Sequence, residues 1–390
     1  MKTNFDKIVN RFHTNSAKWD GIAMDYGEDV IALSVADMDL QAPPVLINKM
    51  VEMAEHGIYG YTDPFPPYYE AILNWFKRMY DWEIQREWVV FCPRIVQAVS
   101  LIIQNFIREG EKVLVHTPSY MPITNAVTVN NRTLVESPLL LKNGRYEIDF
   151  EDTEKKMQEG VKILLLCSPH NPTGRVWTKE ELLRLGELCV KYHVLLVSDD
   201  IHADFIHGDH THTFIASLSE QLKEISIICT SPAKTFNLAS LEIANIIIPN
   251  EKLRTKFKET MIQAGIHNPT FFAVPALEVA YTACDDWLLD VKAYIQDNIA
   301  FTKAFCRSYL PEIQIIEPEG TFLLWMDCRN WSARETELKR LILEEAKVSI
   351  SFGTSFGLAY EGFIRVNVAT SRELLEEGLR RIAHMYKLNN

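Results

Sequence analysis

The 390-residue sequence predicts an α/β fold, with a mostly parallel sheet in a large domain and a second, smaller α+β domain. Three observations lead to this prediction. Short apolar runs alternate with segments of helical periodicity, the runs end in polar or Gly/Pro-containing stretches, and the pattern changes near Asp285. Such alternation is typical of parallel sheets, because neighbouring parallel strands need long crossover connections.

Apolar runs in the middle of the chain indicate five buried strands: Lys112–His116, Val161–Cys167, Val194–Ser198, Ile225–Thr230 and Asn245–Pro249. Between the second and third runs, Lys179–His193 has apolar residues at helical spacing and predicts a crossover helix. These segments belong to the predicted large domain, for which we expect the bounds 45–284.

The smaller domain is predicted from the segments after residue 284. Their pattern predicts a helix from Trp287 to about Leu310, a strand over Phe322–Cys328 and a helix near Glu335–Ala346. A strand near Phe363–Val368 and a closing helix over the final residues follow. We expect residues 1–44 to join residues 285–390 in this domain. No repeat, low-complexity tract or free linker stands out, so we expect tight packing between the domains.

Charge and hydropathy argue against several classes of function. The formal net charge is −12 and the pI is near 5.5, whereas nucleic acids and anionic membranes attract clustered Lys and Arg. No run approaches the ~18 apolar residues of a spanning helix, and the first residues contain no apolar signal-peptide core. We therefore expect a cytoplasmic protein with neither nucleic-acid nor membrane partners.

Polar or Gly/Pro-containing stretches follow the first four predicted strands: Thr117–Tyr120, Ser168–Gly174, Asp199–His202 and Ser231–Lys234. In open α/β sheets, ligands bind beyond the carboxyl ends of the strands. We therefore expect these four stretches to converge on one ligand site.

The candidate catalytic residues at this edge are Lys234, Asp199 and Tyr120. Lys234 follows an apolar strand and a Ser-Pro turn, where desolvation would lower the pKa of its amine and favour Schiff-base chemistry. Asp199 follows an apolar strand, and its carboxylate suits a protonated ring nitrogen. Most single lysines are solvated surface groups, and Asp199 is equally well explained as a helix N-cap.

Asn171 and Tyr120 offer contacts to an aromatic ligand. The amide of Asn171 can donate to a ring hydroxyl, although its Pro- and Gly-containing surroundings also explain an ordinary turn. Tyr120 offers a flat face for stacking, although simple packing at the sheet edge would use the same face.

Several motifs along the chain carry a family resemblance. SPHNPTG (168–174), SDDIH (198–202), SPAKTFN (231–237) and FIRVN (363–367) resemble the class I/II, fold-type-I aminotransferase superfamily. KWD (18–20), VADMD (35–39), GY (60–61), GIHNP (265–269) and GTFLLW (320–325) resemble its cystathionine β-lyase branch, the MalY/PatB-type C–S lyases. The resemblance extends from about residue 4 to residue 385 in the family's order.

The resemblance implies a fold-type-I pyridoxal-phosphate enzyme, with a three-layer α/β/α large domain, a mostly parallel sheet and a smaller α+β domain. Its cofactor would be pyridoxal 5′-phosphate, held by Lys234 as a Schiff base. Asp199 would pair with the pyridine nitrogen, and Asn171 would donate to the phenolic oxygen. Tyr120 would stack on the ring.

The same resemblance implies a phosphate site and a homodimer. The phosphate would be bound by the Ser231 hydroxyl and by the backbone N–H groups of Ile95 and Val96, which begin a helix predicted to run to about Arg108. Tyr61 would reach the phosphate from the neighbouring subunit, so that a homodimer is implied.

For the substrate, the resemblance implies that Arg365 binds the α-carboxylate with its planar guanidinium, while the backbone at Ala36 supplies a second contact. From position alone, Arg365 would be a strand-edge residue in a surface ion pair. Ser34, Arg94 and Phe322 depart from the branch, in which Trp, a small residue and Tyr are common. These departures leave the substrate preference open.

His202 stands where many aminotransferases have a Tyr that contacts the phenolic oxygen. Contact with the cofactor and packing at the strand end are both open interpretations.

A run of imidazoles and carboxylates extends from His202 to His212, but its spacing matches no defined metal site and Gly208 favours a solvated loop. We therefore expect no metal.

Two reactions and one non-catalytic role follow from this set of residues. A C–S β-lyase would eliminate thiol from cystathionine or a cysteine conjugate and leave pyruvate and ammonia, whereas an aminotransferase would use the same residues to form a 2-oxo acid. A non-catalytic regulatory protein on the same fold is the third possibility, because folds outlast functions. The presence of all the expected residues favours an enzyme.

Overall fold

The computed structural model describes residues 3–389. Its strands are β1 (Ile31–Ala32), β2 (Val89–Cys92), β3 (Lys112–Thr117), β4 (Thr133–Pro138), β5 (Leu140–Lys142), β6 (Arg145–Glu147), β7 (Val161–Cys167), β8 (Leu195–Asp199), β9 (Ser226–Thr230), β10 (Ala244–Ile247), β11 (Gln314–Ile315), β12 (Leu323–Asp327), β13 (Val348–Ser349), β14 (Ser351–Phe352) and β15 (Phe363–Asn367).

The helices of the described residues are α1 (Asp20–Tyr26), α2 (Pro44–His56), α3 (Pro66–Tyr80), α4 (Ile95–Phe106), α5 (Met121–Thr128), α6 (Phe150–Gln158), α7 (Lys179–Tyr192), α8 (Glu220–Ile225), α9 (Pro232–Thr235), α10 (Glu251–Gln263), α11 (Ala273–Ala283), α12 (Asp285–Tyr309), α13 (Glu335–Leu338) and α14 (Arg372–Asn389). Helix α13 continues as a π-helical segment over Lys339–Glu345. None of the helices in residues 3–389 combines the length and the apolar character needed to cross a membrane.

The main sheet has seven strands in the order β2-β10-β9-β8-β7-β3-β4. Strands β4, β3, β7, β8 and β9 are parallel to one another. Strand β10 is antiparallel to both β9 and β2. Five neighbouring parallel strands place five carboxyl ends at one edge of the sheet, as the alternating sequence pattern predicts.

Helices cover both faces of this sheet. On one face, Leu165 and Val197 share a core with residues of α4 and α10, such as Ile102 and Phe257. On the other face, the alternate residues of the same strands, such as Leu164, pack with helices that include α3, α7 and α11. Apolar residues on both faces of these strands are therefore buried, which explains why the strands appear in the sequence as continuous apolar runs. The predicted three-layer α/β class is confirmed.

The chain beyond α11 builds a second sheet in the order β11-β12-β15-β14, with antiparallel pairing throughout. Strand β1 pairs in parallel with β13, with Ile31 opposite Val348. Strand β1 of the amino-terminal segment therefore lies against the carboxyl-terminal part of the chain. The domain bounds at residues 45 and 284 remain our proposal.

The predicted segments are present, with shifts of a few residues at their ends. The predicted strand Val194–Ser198 is shifted by one residue, to Leu195–Asp199. The predicted strand Asn245–Pro249 is Ala244–Ile247 and ends before Pro249, which has no N–H for a ladder bond. Ile225 ends helix α8, which the hydroxyl of Ser219 caps, so β9 starts at Ser226. The predicted helix near Glu335–Ala346 is present, as α13 followed by the π-helical segment Lys339–Glu345.

Candidate active site

A cavity of about 360 Å³ lies at the carboxyl ends of β7, β8 and β9, beside the first turn of α4. The structure brings nine of the predicted site residues to its wall: Ala36, Ile95, Val96, Tyr120, Asn171, Asp199, His202, Ser231 and Lys234. Arg365 touches this group through Asn171, whereas Tyr61 lies outside it. The four strand-end stretches therefore converge.

Lys234 is held by a single helical turn that starts where β9 ends. Ser231 is the N-cap of α9, and its Oγ accepts a hydrogen bond from the N–H of Ala233 over 3.0 Å. The Nζ of Lys234 donates to the carbonyl of Ala36, which lies 198 positions earlier. Burial, together with the nearby Arg365, lowers the pKa of Lys234 to about 8, against the opposing effects of Asp37 and Asp199. A lysine in this state is readily deprotonated.

Asp199 is the last residue of β8, and its carboxylate faces the cavity. Burial raises the pKa of Asp199 to about 7, although the N–H of Ile201 donates to its Oδ1 over 3.2 Å and opposes the shift. A buried carboxylate of this kind gains strongly from a cation placed against it. The interpretation of Asp199 as only a helix N-cap is wrong, because no helix starts there.

Arg365 on β15 is buried at the junction of the two sheets and the amino-terminal segment. Its Nη1 donates to Oδ1 of Asn171 over 3.0 Å. Its Nη2 donates to the carbonyl of Ser34 over 2.8 Å and to Oγ of Ser351 over 3.1 Å. Its guanidinium lies over the ring of Phe356, and burial lowers its pKa to about 10. The surface ion pair considered from position alone is wrong, since Arg365 is buried and pairs with no carboxylate of residues 3–389.

Tyr120 and His202 face the same cavity from different strands. Tyr120 is the N-cap residue of α5, directly after β3, and burial raises the pKa of its hydroxyl. His202 is buried, and its ring lies edge-on to Phe322 with 5.8 Å between centroids. Burial lowers the pKa of His202 to about 3, so its imidazole is neutral at physiological pH. His202 therefore both lines the cavity and packs against Phe322.

The N-terminal turn of α4 forms one end of the cavity. Ile95 and Val96 are its first residues, with Arg94 as N-cap. Ser231 also lies in the cavity wall, but its hydroxyl donates to the carbonyl of Ile243 over 2.6 Å. Unpaired N–H groups at a helix start attract anions. Tyr61 is fully exposed and does not reach the cavity of its own chain.

The loop that carries Ala36 is clamped by two asparagines that the sequence analysis did not select. The Nδ2 of Asn367 donates to the carbonyls of Val35 and Asp37, at 2.7 Å each. The Nδ2 of Asn237, three residues after Lys234, donates to the carbonyls of Met38 and Leu40. Their one sequence signal is that both lie inside motifs of the family resemblance.

A buried ionic cluster fixes the same loop at Asp39. Its carboxylate accepts from Nζ of Lys18 at 2.8 Å, from Nε1 of Trp19 at 2.8 Å and from Nη1 of Arg11 at 2.7 Å. Burial by itself would raise the pKa of Asp39, but the ammonium of Lys18 and the indole N–H hold it below its usual value. The spacing of these residues does not reveal the cluster.

The run from His202 to His212 is dispersed among separate contacts. The Nε2 of His212 lies 3.1 Å from Oδ1 of Asp200, and Asp204 accepts from the hydroxyls of Tyr80 and Thr235. Within residues 3–389, no group of three or more His, Cys, Asp or Glu side chains is arranged to hold a metal ion.

Comparison with known proteins identifies the family. Residues 28–382 match the family described as aminotransferase class I and II. The chain belongs to this family. It is 39% identical over 381 residues to cystathionine beta-lyase PatB of Bacillus subtilis (strain 168), covering 97% of this chain and 98% of that protein. It is 31% identical over 383 residues to protein MalY of Escherichia coli (strain K12), covering 96% and 97%.

Solved structures agree with this assignment. Cystalysin from Treponema denticola, which contains a pyridoxal 5′-phosphate cofactor, matches with a TM-score of 0.97 and 34% identity over 100% of both chains. The pyridoxal-phosphate-bound C-S lyase from Staphylococcus hominis matches with a TM-score of 0.92 and 33% identity, covering 99% of this chain and 98% of that chain. The predicted fold-type-I class and the MalY/PatB-type branch are confirmed.

Proposed function

We propose that this protein is a cytoplasmic pyridoxal-phosphate-dependent C–S β-lyase, which converts a sulfur amino acid of the cystathionine or cysteine-conjugate type to thiol, pyruvate and ammonia. The observation that carries the proposal is the meeting of Lys234 and Asp199 in one cavity, with Arg365 and Asn171 at its side. Full-length similarity to a cystathionine beta-lyase and to a C-S lyase supports it.

The residues of the cavity fit this cofactor. Lys234 offers a buried amine with a pKa of about 8, which suits covalent attachment of an aldehyde. Asp199 offers a carboxylate for a ring nitrogen, and the first turn of α4 offers N–H groups for a phosphate. When bound, the cofactor withdraws electrons from the substrate Cα, so that its proton becomes acidic.

Asn171 is prepared to donate to the phenolic oxygen of the cofactor. Its Oδ1 accepts from Arg365, which has only donors, so the amide orientation is determined by this contact. Both N–H groups of the amide are therefore left for other acceptors. Tyr120 in the same wall has a ring face for stacking, as the family resemblance implies.

Arg365 binds the substrate α-carboxylate in this proposal. Its Nη1 and Nη2 are oriented by protein oxygens, while Nε has no hydrogen-bond partner within residues 3–389. A buried guanidinium without a carboxylate partner is a strong site for a substrate anion. The backbone at Ala36, which lines the cavity two residues after the Ser34 carbonyl bonded to Arg365, would serve as the second contact.

Lys234 moves the proton in the reaction. Its Nζ would be placed to accept the Cα proton of a bound substrate, because the buried amine is easily deprotonated. The ammonium thus formed can pass the proton to the departing thiolate. The carbonyl of Ala36, which accepts from Nζ, holds the amine in the cavity.

The proposed assembly is a homodimer in which Tyr61 serves the neighbouring site. Tyr61 is fully exposed, and Ile58, Tyr59 and Phe65 around it are each more than half exposed. A run of exposed large side chains is typical of an interface. Tyr61→Ala and Lys234→Ala subunits should each be inactive alone, whereas their mixture should regain activity, since each hybrid dimer rebuilds one intact site. No recovery in hybrids isolated by two different tags would refute the shared site.

The reaction is tested by product analysis with cystathionine in the absence of a 2-oxo acid. A β-lyase releases thiol and pyruvate over many turnovers, whereas an aminotransferase stops after one equivalent per site. Lys234→Ala should abolish both turnover and the visible absorbance of the purified protein. A protein that stays colourless when mixed with pyridoxal 5′-phosphate would instead support the non-catalytic role.

A further inference from the structure

An ion pair stands at the phosphate end of the cavity, between Arg94 and Glu242. Arg94 is the N-cap residue of α4 and is one of the residues that line the cavity. Its Nη2 donates to a carboxylate oxygen of Glu242, a residue 148 positions away. Glu242 directly precedes Ile243, whose carbonyl accepts from the Ser231 hydroxyl. The pair therefore joins the two segments that border the proposed phosphate site.

Of the two charges in this pair, that of Arg94 would attract a phosphate and that of Glu242 would repel it. A phosphate monoester carries about −1.5 to −2 charges near neutral pH, so an unpaired carboxylate at Glu242 would repel it. Of the side-chain N–H groups of Arg94, only one on Nη2 has a hydrogen-bond partner within residues 3–389. The guanidinium can therefore neutralise Glu242 and still donate to an anion beside Ile95 and Val96.

We propose that Arg94 is a further phosphate-binding residue of this chain, which also shields the cofactor phosphate from Glu242. The inference rests on the proposed function, because it assumes that pyridoxal 5′-phosphate occupies the cavity. Both side chains are partly exposed, at 64% for Arg94 and 37% for Glu242, so removing the pair should hardly affect folding.

The test measures cofactor affinity rather than turnover. Cofactor-free protein is titrated with pyridoxal 5′-phosphate and, separately, with pyridoxal, which has no phosphate. Arg94→Ala should raise the Kd for pyridoxal 5′-phosphate by about 10- to 100-fold, the range expected for a charge-assisted hydrogen bond. The Kd for pyridoxal should stay within about twofold of the wild-type value. Arg94→Ala combined with Glu242→Gln should recover at least about fivefold of the lost affinity, since the repelling charge is also gone.

A matched control is available at the opposite end of the same helix. Arg108 follows α4 and pairs with Glu111 over 3.0 Å, well exposed to solvent. Arg108→Ala should leave both Kd values unchanged. An unchanged Kd for pyridoxal 5′-phosphate in Arg94→Ala, an equal loss for pyridoxal, or a double variant as weak as Arg94→Ala would overturn the inference. Wild-type protein that fails to bind pyridoxal 5′-phosphate would overturn the proposed function itself.

Discussion

The Nη1 of Arg365 donates to Oδ1 of Asn171 over 3.0 Å, although the two residues lie 194 positions apart. The contact joins strand β15 of the antiparallel sheet to the turn that follows β7 of the main sheet. One hydrogen bond thus orients both the amide proposed to contact the cofactor and the guanidinium proposed to bind the substrate.

Replacing Arg365 by Lys should weaken substrate binding without removing the cofactor. A single ammonium cannot reach Asn171 and the Ser34 carbonyl together and still offer paired donors to a carboxylate. We expect kcat/KM for thiol release to fall about 100-fold, mainly through KM, which corresponds to about 2.7 kcal/mol. Arg329→Lys, in a half-exposed ion pair just after β12, is the matched control. An unchanged KM would contradict the assigned role of Arg365.

The amine of Lys234 should react as a base of lowered pKa in the cofactor-free protein. Since burial lowers its pKa to about 8, the neutral amine should appear as the pH rises through that value. Competitive acetylation followed by mass spectrometry measures this, because only the neutral amine reacts. The labelling of Lys234 should level off by about pH 9, while exposed lysines of the same protein continue to gain reactivity. Labelling of Lys234 that rises in parallel with theirs would disprove the shift.

Asp199 should make the cofactor-free protein less stable as the pH rises. Its folded pKa of about 7 exceeds its ordinary value of 3.8, so between these values the folded state binds more protons than the unfolded state. Stability contributed by this group is therefore present at low pH and lost as pH rises towards 7. Asp199→Asn has no such loss. We therefore expect its free energy of unfolding, relative to that of wild type, to rise by about 2 kcal/mol between about pH 4.5 and pH 7.5.

Urea unfolding of both cofactor-free proteins at the two pH values measures the Asp199 effect. A variant that loses stability relative to wild type as the pH rises would have the wrong sign. Asp200→Asn is less suitable as a control, because Asp200 lies 3.1 Å from the ring of His212.

Asp39→Asn should destabilise the protein through Lys18. The Lys18 ammonium is fully buried and would lose its carboxylate at 2.8 Å, keeping only Asp37 at 3.7 Å. We expect a cost of about 3 kcal/mol, and a partial recovery when Lys18→Met is added, because the unpaired charge is then removed. Because the folded pKa of Asp39 lies below its usual value of 3.8, its contribution is fully present well above pH 3.8 and is lost as the pH falls from there through the lowered pKa.

Thermal or urea midpoints give the Asp39 result. Lys77→Met breaks an exposed ion pair with Glu83 at 2.7 Å and should leave the unfolding midpoint almost unchanged, because solvent screens the pair. A loss in Asp39→Asn as small as in this control would show that the cluster does not hold the Ala36 loop.

Most of the main sheet could be predicted from local sequence patterns. Strands buried on both faces appear as uninterrupted apolar runs, so β3, β7, β8 and β9 could be located without any pairing information. Their antiparallel neighbour β10 could not be assigned a direction, because a short apolar run is the same in either orientation. The helix near Glu335–Ala346 could be located from its apolar spacing, but that spacing does not distinguish the π-helical turns after α13 from an α-helix.

The sequence by itself determined the class of fold, the edge where the ligand site lies, and the strand-end residues Lys234, Asp199, Asn171 and Tyr120. Periodicity and turn chemistry are local properties, so a single segment is enough to reveal them. Only the tertiary structure decided that Arg365 is buried against Asn171, that Asp39 neutralises Lys18, and that Arg94 faces Glu242. These partners come from segments distant in sequence, and nothing within either segment specifies which other segment will pack against it.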